Sequence, residues 1–302
     1  MKASLPAYDR SKLTPGIVHI GLGNFHRAHM AVYLDDLFAM GLGHDWAILG
    51  AGVREGDARM RDALKAQDCL STVIELDPKG KSARRIGSMI DFLPVEPDNA
   101  ALIAAMSRPE IRIVSLTVTE GGYFINPATG AFDPTHPEIA ADAANPHRTA
   151  FGAIIAALKA RRAAGVPPFT VMSCDNLPGN GHVTQNAVIG LARLSDPALA
   201  DWIKANVAFP NGMVDRITPA TGPREREMAA SFGLGDDPVP VTCEPFRQWV
   251  LEDNFPQGRP AFEKVGVTLT PHVHNFEMMK IRILNGGHAT IAYPGGLMDI
   301  EY

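Results

Sequence analysis

A strand, a glycine turn and a helix near the amino terminus constrain the fold more than any other feature of this sequence. Residues 17–20 form a short β-type run that ends in a Gly-Leu-Gly turn at residues 21–23. A helical pattern with one apolar face follows over residues 27–40, and a second β-type run covers residues 46–50. A strand, a helix and a strand in this order open a parallel sheet. The sequence therefore predicts an α/β fold with a Rossmann-like, dinucleotide-binding domain.

The alternation of strands and helices continues along the chain and adds further strands to the predicted sheet. Two β-type runs flank the turn sequence Asp-Pro-Lys-Gly at residues 77–80 and predict a hairpin. Residues 126–148, rich in Pro, Asn and Asp, predict a long loop, and residues 246–251 fit a strand or a helix equally well. The remaining predicted strands are residues 111–118 and 169–173, and the remaining helices are residues 58–66, 100–107, 151–162, 183–194 and 275–293.

The glycine turn is the first candidate cofactor site. Gly21 and Gly23 permit a tight turn and a close approach of the backbone to a pyrophosphate, at a helix start where free N–H groups point outward. Phe25 and His26 stand where the usual third glycine or alanine would be. The pattern alone therefore leaves a nucleotide site and an ordinary strand-to-helix turn equally open. Asn24 and Phe25 belong to the same candidate site.

The second strand is followed by residues that bear on the choice of cofactor. An acidic residue at this place commonly binds the ribose hydroxyls of NAD, and an arginine can accept the 2′-phosphate of NADP. Asp57 or Glu55 favours NAD, whereas Arg54 leaves NADP open. We therefore expect NAD as the cofactor, with NADP as the alternative.

A stretch near the carboxyl end carries the candidate catalytic residues. Lys280 and His288 are eight residues apart, about two α-helical turns, so they share one face if the helix is unbroken. A lysine can accept a hydroxyl proton during alcohol oxidation if desolvation or a nearby cation lowers its pKa toward neutrality. An asparagine such as Asn285 can donate hydrogen bonds to the developing alkoxide. A surface lysine, a helix-ending asparagine and a core histidine are the competing interpretation.

Composition and motif content argue against several other classes of protein. The net charge of −5 gives no basic face for nucleic acid, and the paired arginines 84–85 and 161–162 are expected on the solvated surface. No apolar run is long enough to span a membrane, and three widely spaced cysteines fit a reducing cytoplasm. The His pairs 272/274, expected on a strand, and 26/29 lack other ligands at metal-binding spacing, so no metal is expected.

Several segments taken together resemble the mannitol dehydrogenase family, the polyol-specific long-chain dehydrogenases and reductases. They occur in the family's order from near residue 17 to the end of the sequence. The segments are Gly21-Leu22-Gly23-Asn24-Phe25-His26-Arg27-Ala28-His29, Thr117-Val118-Thr119-Glu120-Gly121-Gly122-Tyr123, Ser173-Cys174-Asp175-Asn176-Leu177-Pro178-Gly179-Asn180-Gly181, Met213-Val214-Asp215-Arg216-Ile217-Thr218-Pro219, Cys243-Glu244-Pro245-Phe246, and Lys280 with Asn285 and His288.

The resemblance implies a role for each of these candidate residues. Lys280 is expected to be the general base in oxidation and the acid in reduction, and the oxyanion hole is expected to consist of Asn176 and Asn285. His288 is expected to orient the substrate oxygen, and Asp215 to contact the polyol hydroxyls. Two carboxylates, Glu120 and Glu277, are expected beside the lysine, where they relay protons or tune its charge. The family uses no catalytic metal.

The resemblance also implies a function and a division into domains. The expected activity is NAD-dependent interconversion of a sugar alcohol and a ketose, with mannitol and fructose as the model pair. A hexuronate reductase of the fructuronate type and a catalytically silent nucleotide-binding fragment are the alternatives. Residues 1–274 are expected to form the dinucleotide-binding domain, and residues 275–302 the beginning of a helical substrate domain whose remainder is absent. Apolar side chains of this last segment are then expected to be exposed.

Overall fold

The computed structural model describes residues 2–144 and 148–299, except for the side chain of His288. The strands are β1 (Pro15–Ile20), β2 (Ala47–Ala51), β3 (Ser71–Asp77), β4 (Gly80–Ile86), β5 (Met89–Phe92), β6 (Ile113–Leu116), β7 (Thr170–Ser173), β8 (Gly212–Asp215), β9 (Val241–Cys243), β10 (Gln248–Leu251) and β11 (Thr268–Leu269). The helices are α1 (Asn24–Ala28), α2 (Met30–Ala39), α3 (Asp57–Lys65), α4 (Ala100–Ser107), α5 (Pro137–Ala144), α6 (Ala150–Ala163), α7 (Asn180–Ser195), α8 (Pro197–Asn206), α9 (Pro223–Ser231), α10 (Val273–Met279) and α11 (Gly286–Leu297), with a π-helical segment (Lys280–Asn285) between α10 and α11.

A five-stranded parallel sheet forms the centre of the fold, in the order β5-β2-β1-β6-β7. The chain runs outward from β1 to β2 on one side and to β6 on the other, so the strand order reverses beside β1. Side chains of β1 alternate between the two faces: Ile17 packs in one hydrophobic core, and Val18 and Ile20 pack in the other. The predicted α/β Rossmann-like domain is confirmed. The carboxyl ends of β1 and β6 mark the place where such sheets bind ligands.

Two smaller sheets are added to the central one. The predicted hairpin is present as the antiparallel pair β3 and β4, and β9 joins it in parallel. Residues 248–251, within the segment left open between strand and helix, form β10, which pairs antiparallel with β8 and parallel with β11. The β8–β10 pair fixes the position of Asp215, the last residue of β8, opposite Gln248.

Three predictions of local structure were wrong or incomplete. The loop predicted over residues 126–148 contains α5, and the first helix begins earlier, at Asn24, and is interrupted at His29. His272 and His274 do not lie on a strand, because His272 precedes α10 and His274 lies within it. The sequence signals were weak here, since Pro and Asp also occur in the first turns of helices.

The carboxyl-terminal helix was predicted correctly, and its apolar side chains are exposed as expected. In α11, Ile291 is 73% exposed, Tyr293 78% and Leu297 88%. No described helix is long and apolar enough to cross a bilayer.

Arg161 was predicted on the surface, but the structure places it in the core. Its guanidinium donates hydrogen bonds to the carbonyl oxygens of Met106, Arg108, Ile111 and Pro167 at 2.8–2.9 Å. Met106 and Arg108 lie at the end of α4, Ile111 lies before β6 and Pro167 lies before β7, so this one side chain connects three chain segments. The sequence pattern cannot distinguish this arginine from its exposed neighbour, because both stand in the last turn of α6.

Arg161→Leu is expected to lower the free energy of unfolding by about 3 kcal/mol, because it leaves several buried carbonyl groups without donors. The adjacent Arg162→Leu removes only an exposed contact with the Trp202 ring, so it is expected to cost less than about 1 kcal/mol. Urea denaturation of the two variants measures the difference. Equal midpoints would show that the Arg161 hydrogen bonds contribute nothing.

Candidate active site

Two connected clefts follow the carboxyl edge of the central sheet. The larger has a volume of about 820 Å³ and the smaller about 440 Å³. Four residues line both clefts, so the two form one continuous channel: Gly23, Met60, Thr117 and Thr119. Candidate cofactor residues lie in the smaller cleft and around the junction, and the candidate catalytic lysine lies in the larger one.

The two glycines of the turn serve different purposes: Gly21 avoids a collision with the neighbouring backbone, and Gly23 leaves open space beside the turn. Gly21 has φ +95°, and a Cβ built on it would collide with the carbonyl oxygen of Thr117 in the neighbouring strand region. Gly23 has an ordinary backbone conformation, and a Cβ there meets no atom within 4 Å. A side chain at Gly23 would therefore project toward the channel that this residue lines. This free space is what a dinucleotide backbone passing the turn needs.

These two glycines make a matched pair of variants. Gly21→Ala is expected to lower the free energy of unfolding by about 2–4 kcal/mol, because it combines an unfavourable φ with a collision against backbone. Gly23→Ala is expected to leave stability unchanged and to weaken NADH binding about tenfold or more, since its methyl group enters the channel. Thermal unfolding and fluorescence titration with NADH separate the two effects. A Gly23→Ala chain with unchanged NADH affinity would show that the cofactor does not pass this turn.

Asn24 and Phe25, the other two candidate cofactor residues of this turn, begin α1 and line the larger cleft. The Asn24 amide donates to the Pro219 carbonyl at 2.7 Å and to the Thr221 hydroxyl at 3.1 Å. The buried Arg27 guanidinium donates to Asn24 Oδ1 at 2.8 Å. The Asn24 side chain therefore fixes the start of α1 against the loop that precedes α9.

Arg54 and Asp57 both line the smaller cleft, where the second half of a dinucleotide would extend. Asp57 Oδ2 accepts hydrogen bonds from the backbone N–H groups of Val53 and Arg54, each at 3.0 Å. One carboxylate oxygen of Asp57 is thus used to shape the turn after β2. The Arg54 side chain is exposed.

Lys280 is held in the larger cleft by groups from β8 and from the turn after β7. Its ammonium group donates to Asn176 Oδ1 at 3.0 Å and to the Val214 carbonyl at 2.6 Å. Asp215 Oδ1 lies 3.1 Å away, and the two side chains are only 10% and 14% exposed. The structure therefore brings Lys280 together with Asn176, which is 104 positions earlier in the sequence, and with Asp215, which is 65 positions earlier.

Asn285 and Glu277 line a smaller cavity of about 190 Å³ on the other side of Lys280 and Asn176. Glu277 is buried, and its Oε1 accepts the Gly179 N–H at 2.9 Å while its Oε2 lies 3.5 Å from His274 Nδ1. Glu277 therefore anchors the turn after β7 to α10. Asn285 is exposed at the end of the π-helical segment.

The helix that carries the candidate catalytic residues is not a regular α-helix. The π-helical segment Lys280–Asn285 separates Lys280 from α11, so the assumption of two α-helical turns between Lys280 and His288 was wrong. A π-helix has a wider turn, with i to i+5 hydrogen bonds, and it changes the relative rotation of the residues on either side. The backbone of His288 lies in α11, and its side chain falls outside what the structure describes.

Among the candidate catalytic residues whose side chains the structure describes, Glu120 is the one that does not lie beside the lysine. It begins a 3-10 turn (Glu120–Tyr123), is exposed, and has neither a hydrogen bond nor an ion pair with Lys280 in the described part of the chain. Its carboxylate instead acts on Asp175, whose pKa is raised first by burial and also by Glu120.

Asp175 is a residue of the site that sequence reasoning did not assign. Its carboxylate is buried and accepts hydrogen bonds from Val118 N–H at 2.9 Å, Thr119 N–H at 3.0 Å and the Tyr123 hydroxyl at 2.6 Å. It therefore fixes the loop after β6 beside Asn176. An acidic residue directly after a buried strand, at the sheet edge where ligands bind, is the signal that would have indicated it.

Three histidines lie beneath the glycine turn, completely buried. The rings of His19 and His26 stack with centroids 3.4 Å apart, and neither ring nitrogen of His26 has a hydrogen-bond partner within the described residues. His29 Nε2 lies 3.0 Å from the Gln248 carbonyl. Burial lowers the pKa of His19 and of His29 to about 3, and it lowers that of His26 well below its usual value. These rings are therefore neutral in the folded chain near pH 7. Among the described residues no cluster of three or more ligand-type side chains could hold a metal.

Comparison with known proteins identifies two matching family models. One describes the mannitol dehydrogenase Rossmann domain and matches residues 15–264. The other describes the mannitol dehydrogenase C-terminal domain and matches residues 272–302.

Two curated relatives and one solved structure illustrate the similarity. A mannitol 2-dehydrogenase of Cereibacter sphaeroides is 78% identical over 298 residues, which are 98% of this chain and 62% of the relative. A polyol:NADP oxidoreductase of Gluconobacter oxydans is 48% identical over 98% of this chain and 62% of its own length. The Pseudomonas fluorescens mannitol 2-dehydrogenase, solved with NAD and D-mannitol, is 52% identical with a TM-score of 0.92, over 98% of this chain and 61% of that one. The chain thus spans somewhat less than two thirds of the length of these relatives.

Proposed function

The chain belongs to the mannitol dehydrogenase family, and from this we propose that it is a nicotinamide-dependent polyol dehydrogenase that interconverts a sugar alcohol and a ketose. The observation that carries the proposal is the placement of Lys280, Asn176 and Asp215 in the larger cleft, which joins the smaller one beside the Gly21–Gly23 turn. Mannitol and fructose are the model pair, in line with the relatives named mannitol 2-dehydrogenase.

The residues present along the channel fit a dinucleotide. Gly23 leaves open space at the turn, Asn24 and Phe25 begin a helix there, and Arg54 and Asp57 line the far end. Bound NAD accepts a hydride from the alcohol carbon. We propose NAD as the cofactor because the P. fluorescens relative was solved with it, and we keep NADP open because the G. oxydans relative is named for it.

The chain's own residues then divide the remaining work of alcohol oxidation. In its neutral amine form Lys280 takes the hydroxyl proton of the substrate, and in ketone reduction the ammonium form returns that proton. Asn176 Oδ1 accepts a hydrogen bond from the lysine, which leaves its amide N–H group to turn toward the substrate oxygen, and Asn285 supplies a second amide from the adjoining cavity. Asp215 accepts hydrogen bonds from polyol hydroxyls beside the lysine. This division assigns base, oxyanion and substrate contacts to separate groups.

The remaining candidates have supporting roles in this proposal. His288 orients the substrate oxygen from α11, and Glu277 maintains the helix that carries Lys280 through its bond to Gly179. Glu120 is exposed and apart from the lysine, so its proposed role in proton relay requires its loop to move toward Lys280 when substrate binds.

The two family models also support a division of the chain into two parts. We propose that residues 1–274 form the dinucleotide-binding domain and that residues 275–302 open a helical substrate domain, since the models meet between residues 264 and 272. The exposed apolar face of α11 is what such a domain would cover. The three free, buried cysteines fit the reducing cytoplasm that we propose as its location.

Absorbance at 340 nm tests the function directly. The chain is incubated with NAD or NADP and mannitol, arabinitol or sorbitol, and with NADH or NADPH and fructose or fructuronate. We expect NADH to form with mannitol and to be consumed with fructose. Turnover with fructuronate alone would replace the polyol assignment by the hexuronate one. Cofactor binding without any turnover would indicate a nucleotide-binding chain that is catalytically silent, and absence of binding would contradict the dehydrogenase proposal altogether.

A further inference from the structure

The larger cleft is lined by one cationic side chain that has no hydrogen-bond or ion-pair partner within the described residues. Four cationic side chains line this cleft: Arg27, Arg216, Arg226 and Lys280. Arg216 is paired with Glu75 at 2.6 Å, and Lys280 with Asp215 at 3.1 Å. The Arg27 guanidinium donates to the Asn24 amide oxygen and to the Val239 carbonyl. Within the described ranges, Arg226 has no carboxylate or carbonyl partner. A cleft that holds an unpaired guanidinium is suited to an anionic ligand.

The position of α9 places this charge at the glycine-turn end of the cleft. Asn24, the first residue of α1, is tied to Pro219 and Thr221, and Thr221 Oγ1 donates to the Pro240 carbonyl at 2.7 Å. The next residues begin α9, whose start is fixed because Glu225 accepts the Gly222 N–H at 2.7 Å. The first turns of α9 are therefore anchored to the start of α1. Arg226 shares the lining of the cleft with Asn24, Phe25 and Gly23.

We propose that Arg226 binds the diphosphate group of the dinucleotide cofactor, opposite the Gly21–Gly23 turn. This inference rests on the proposed nicotinamide-dependent function. The cofactor diphosphate is the anionic group that would lie beside Gly23, where the two clefts join. The short helix α1 cannot balance its negative charge alone. An arginine holds such a group by two parallel hydrogen bonds, whereas the substrate polyol is uncharged and binds at the Lys280 end.

Neighbouring residues of α9 supply the control for this assignment. Met228 and Ala229 face the hydrophobic cluster on the inner side of the helix, and Arg224, which is exposed as Arg226 is, does not line the cleft. Arg226→Ala and Arg224→Ala therefore remove the same charge from the same helix, two residues apart. Only the first removes it from the channel.

Calorimetric titration with NADH, ADP-ribose and adenosine tests the proposal. We expect Arg226→Ala to weaken NADH and ADP-ribose about tenfold or more, to leave adenosine unchanged, and to flatten the salt dependence of ADP-ribose binding. Arg226→Lys should restore part of the affinity, and Arg224→Ala should equal the unmodified chain. Equal ADP-ribose affinity in Arg226→Ala, or the same loss for adenosine as for ADP-ribose, would overturn the inference while leaving the proposed function intact. If the unmodified chain binds neither NADH nor ADP-ribose, both the inference and the proposed function are wrong.

Discussion

Lys280→Met is expected to lower kcat for mannitol oxidation at least about a hundredfold, with NADH affinity changed less than about twofold. The variant keeps the apolar stem, which is mostly buried, and removes the amine that contacts Asn176, Val214 and Asp215. If this amine exchanges the proton of the reacting alcohol, its loss acts on the chemical step and not on the cofactor channel, which Lys280 touches only at its end. Initial rates at 340 nm and NADH fluorescence titration measure the two quantities.

The control for this prediction is the same substitution at an exposed lysine. Lys264 lies in the 3-10 turn before β11 and is exposed, so Lys264→Met is expected to keep both kcat and NADH affinity. A Lys280→Met chain that turns over mannitol at the unmodified rate would remove the lysine from the mechanism. A loss of NADH affinity equal to the loss of rate would instead show that the substitution disturbs the channel.

The central sheet and its ligand-binding edge could be predicted from the sequence because they depend on local signals. Strands of the central sheet are short apolar runs, and the glycine turn between β1 and α1 follows from two residues whose backbone needs are visible in the sequence. The hairpin of β3 and β4 follows in the same way from its turn residues. These elements are determined by residues that are close together in the chain.

The candidate catalytic cluster could not be predicted by such local rules. Asn176, Val214 and Lys280 belong to three segments, and only the folded sheet brings the ends of β7 and β8 to the helix that carries the lysine. The resemblance to a family supplied these residues, but it did not reveal that Asp57 shapes its own turn. The π-helical segment after Lys280 was also missed, because its residues have an ordinary helical pattern.

Buried polar groups were the other class that sequence patterns did not reveal. Arg161 and Asp175 are charged residues of types that usually lie on the surface, yet each forms hydrogen bonds with several backbone groups inside the protein. A charged residue is buried only when its partners are present, and those partners come from distant segments. The three histidines beneath the glycine turn belong to the same class, and their burial has a consequence for stability.

Acidification from pH 7 to pH 5.5 is expected to lower the free energy of unfolding by about 3–4 kcal/mol. The reason is that three buried histidines bind protons over this range in the unfolded chain but not in the folded one. In the folded chain, burial lowers the pKa of His19 and of His29 to about 3, and it lowers that of His26 well below its usual value. In the unfolded chain these groups titrate near pH 6.5, so between about pH 6.5 and 3 the unfolded state binds more protons. Their contribution is therefore complete above pH 6.5 and is lost as the pH falls.

Carboxylates whose pKa is raised by burial act in the opposite direction. Asp35 and Asp175 hold their protons more tightly in the folded chain, so they stabilise it as the pH falls toward 4. The three histidines are expected to dominate between pH 5 and 6.5, because they outnumber these two carboxylates and their unfolded pKa lies at the upper end of this range. The loss of stability is thus expected to begin near pH 6.5 and to be steepest near pH 5, where the unfolded histidines are almost fully protonated.

Urea denaturation at several pH values, with one substituted histidine, tests this account. His26→Phe keeps an aromatic ring against His19 and removes one titrating group, so the slope of stability against pH should fall by about 1.4 kcal/mol per pH unit near pH 5. His272→Phe, at the exposed start of α10, should leave the slope unchanged. If His26→Phe also leaves it unchanged, His26 becomes protonated without unfolding, which means that its ring is accessible to solvent. In that case the base of the glycine turn opens in the folded protein, and the cofactor channel above it is less rigid than its packing indicates.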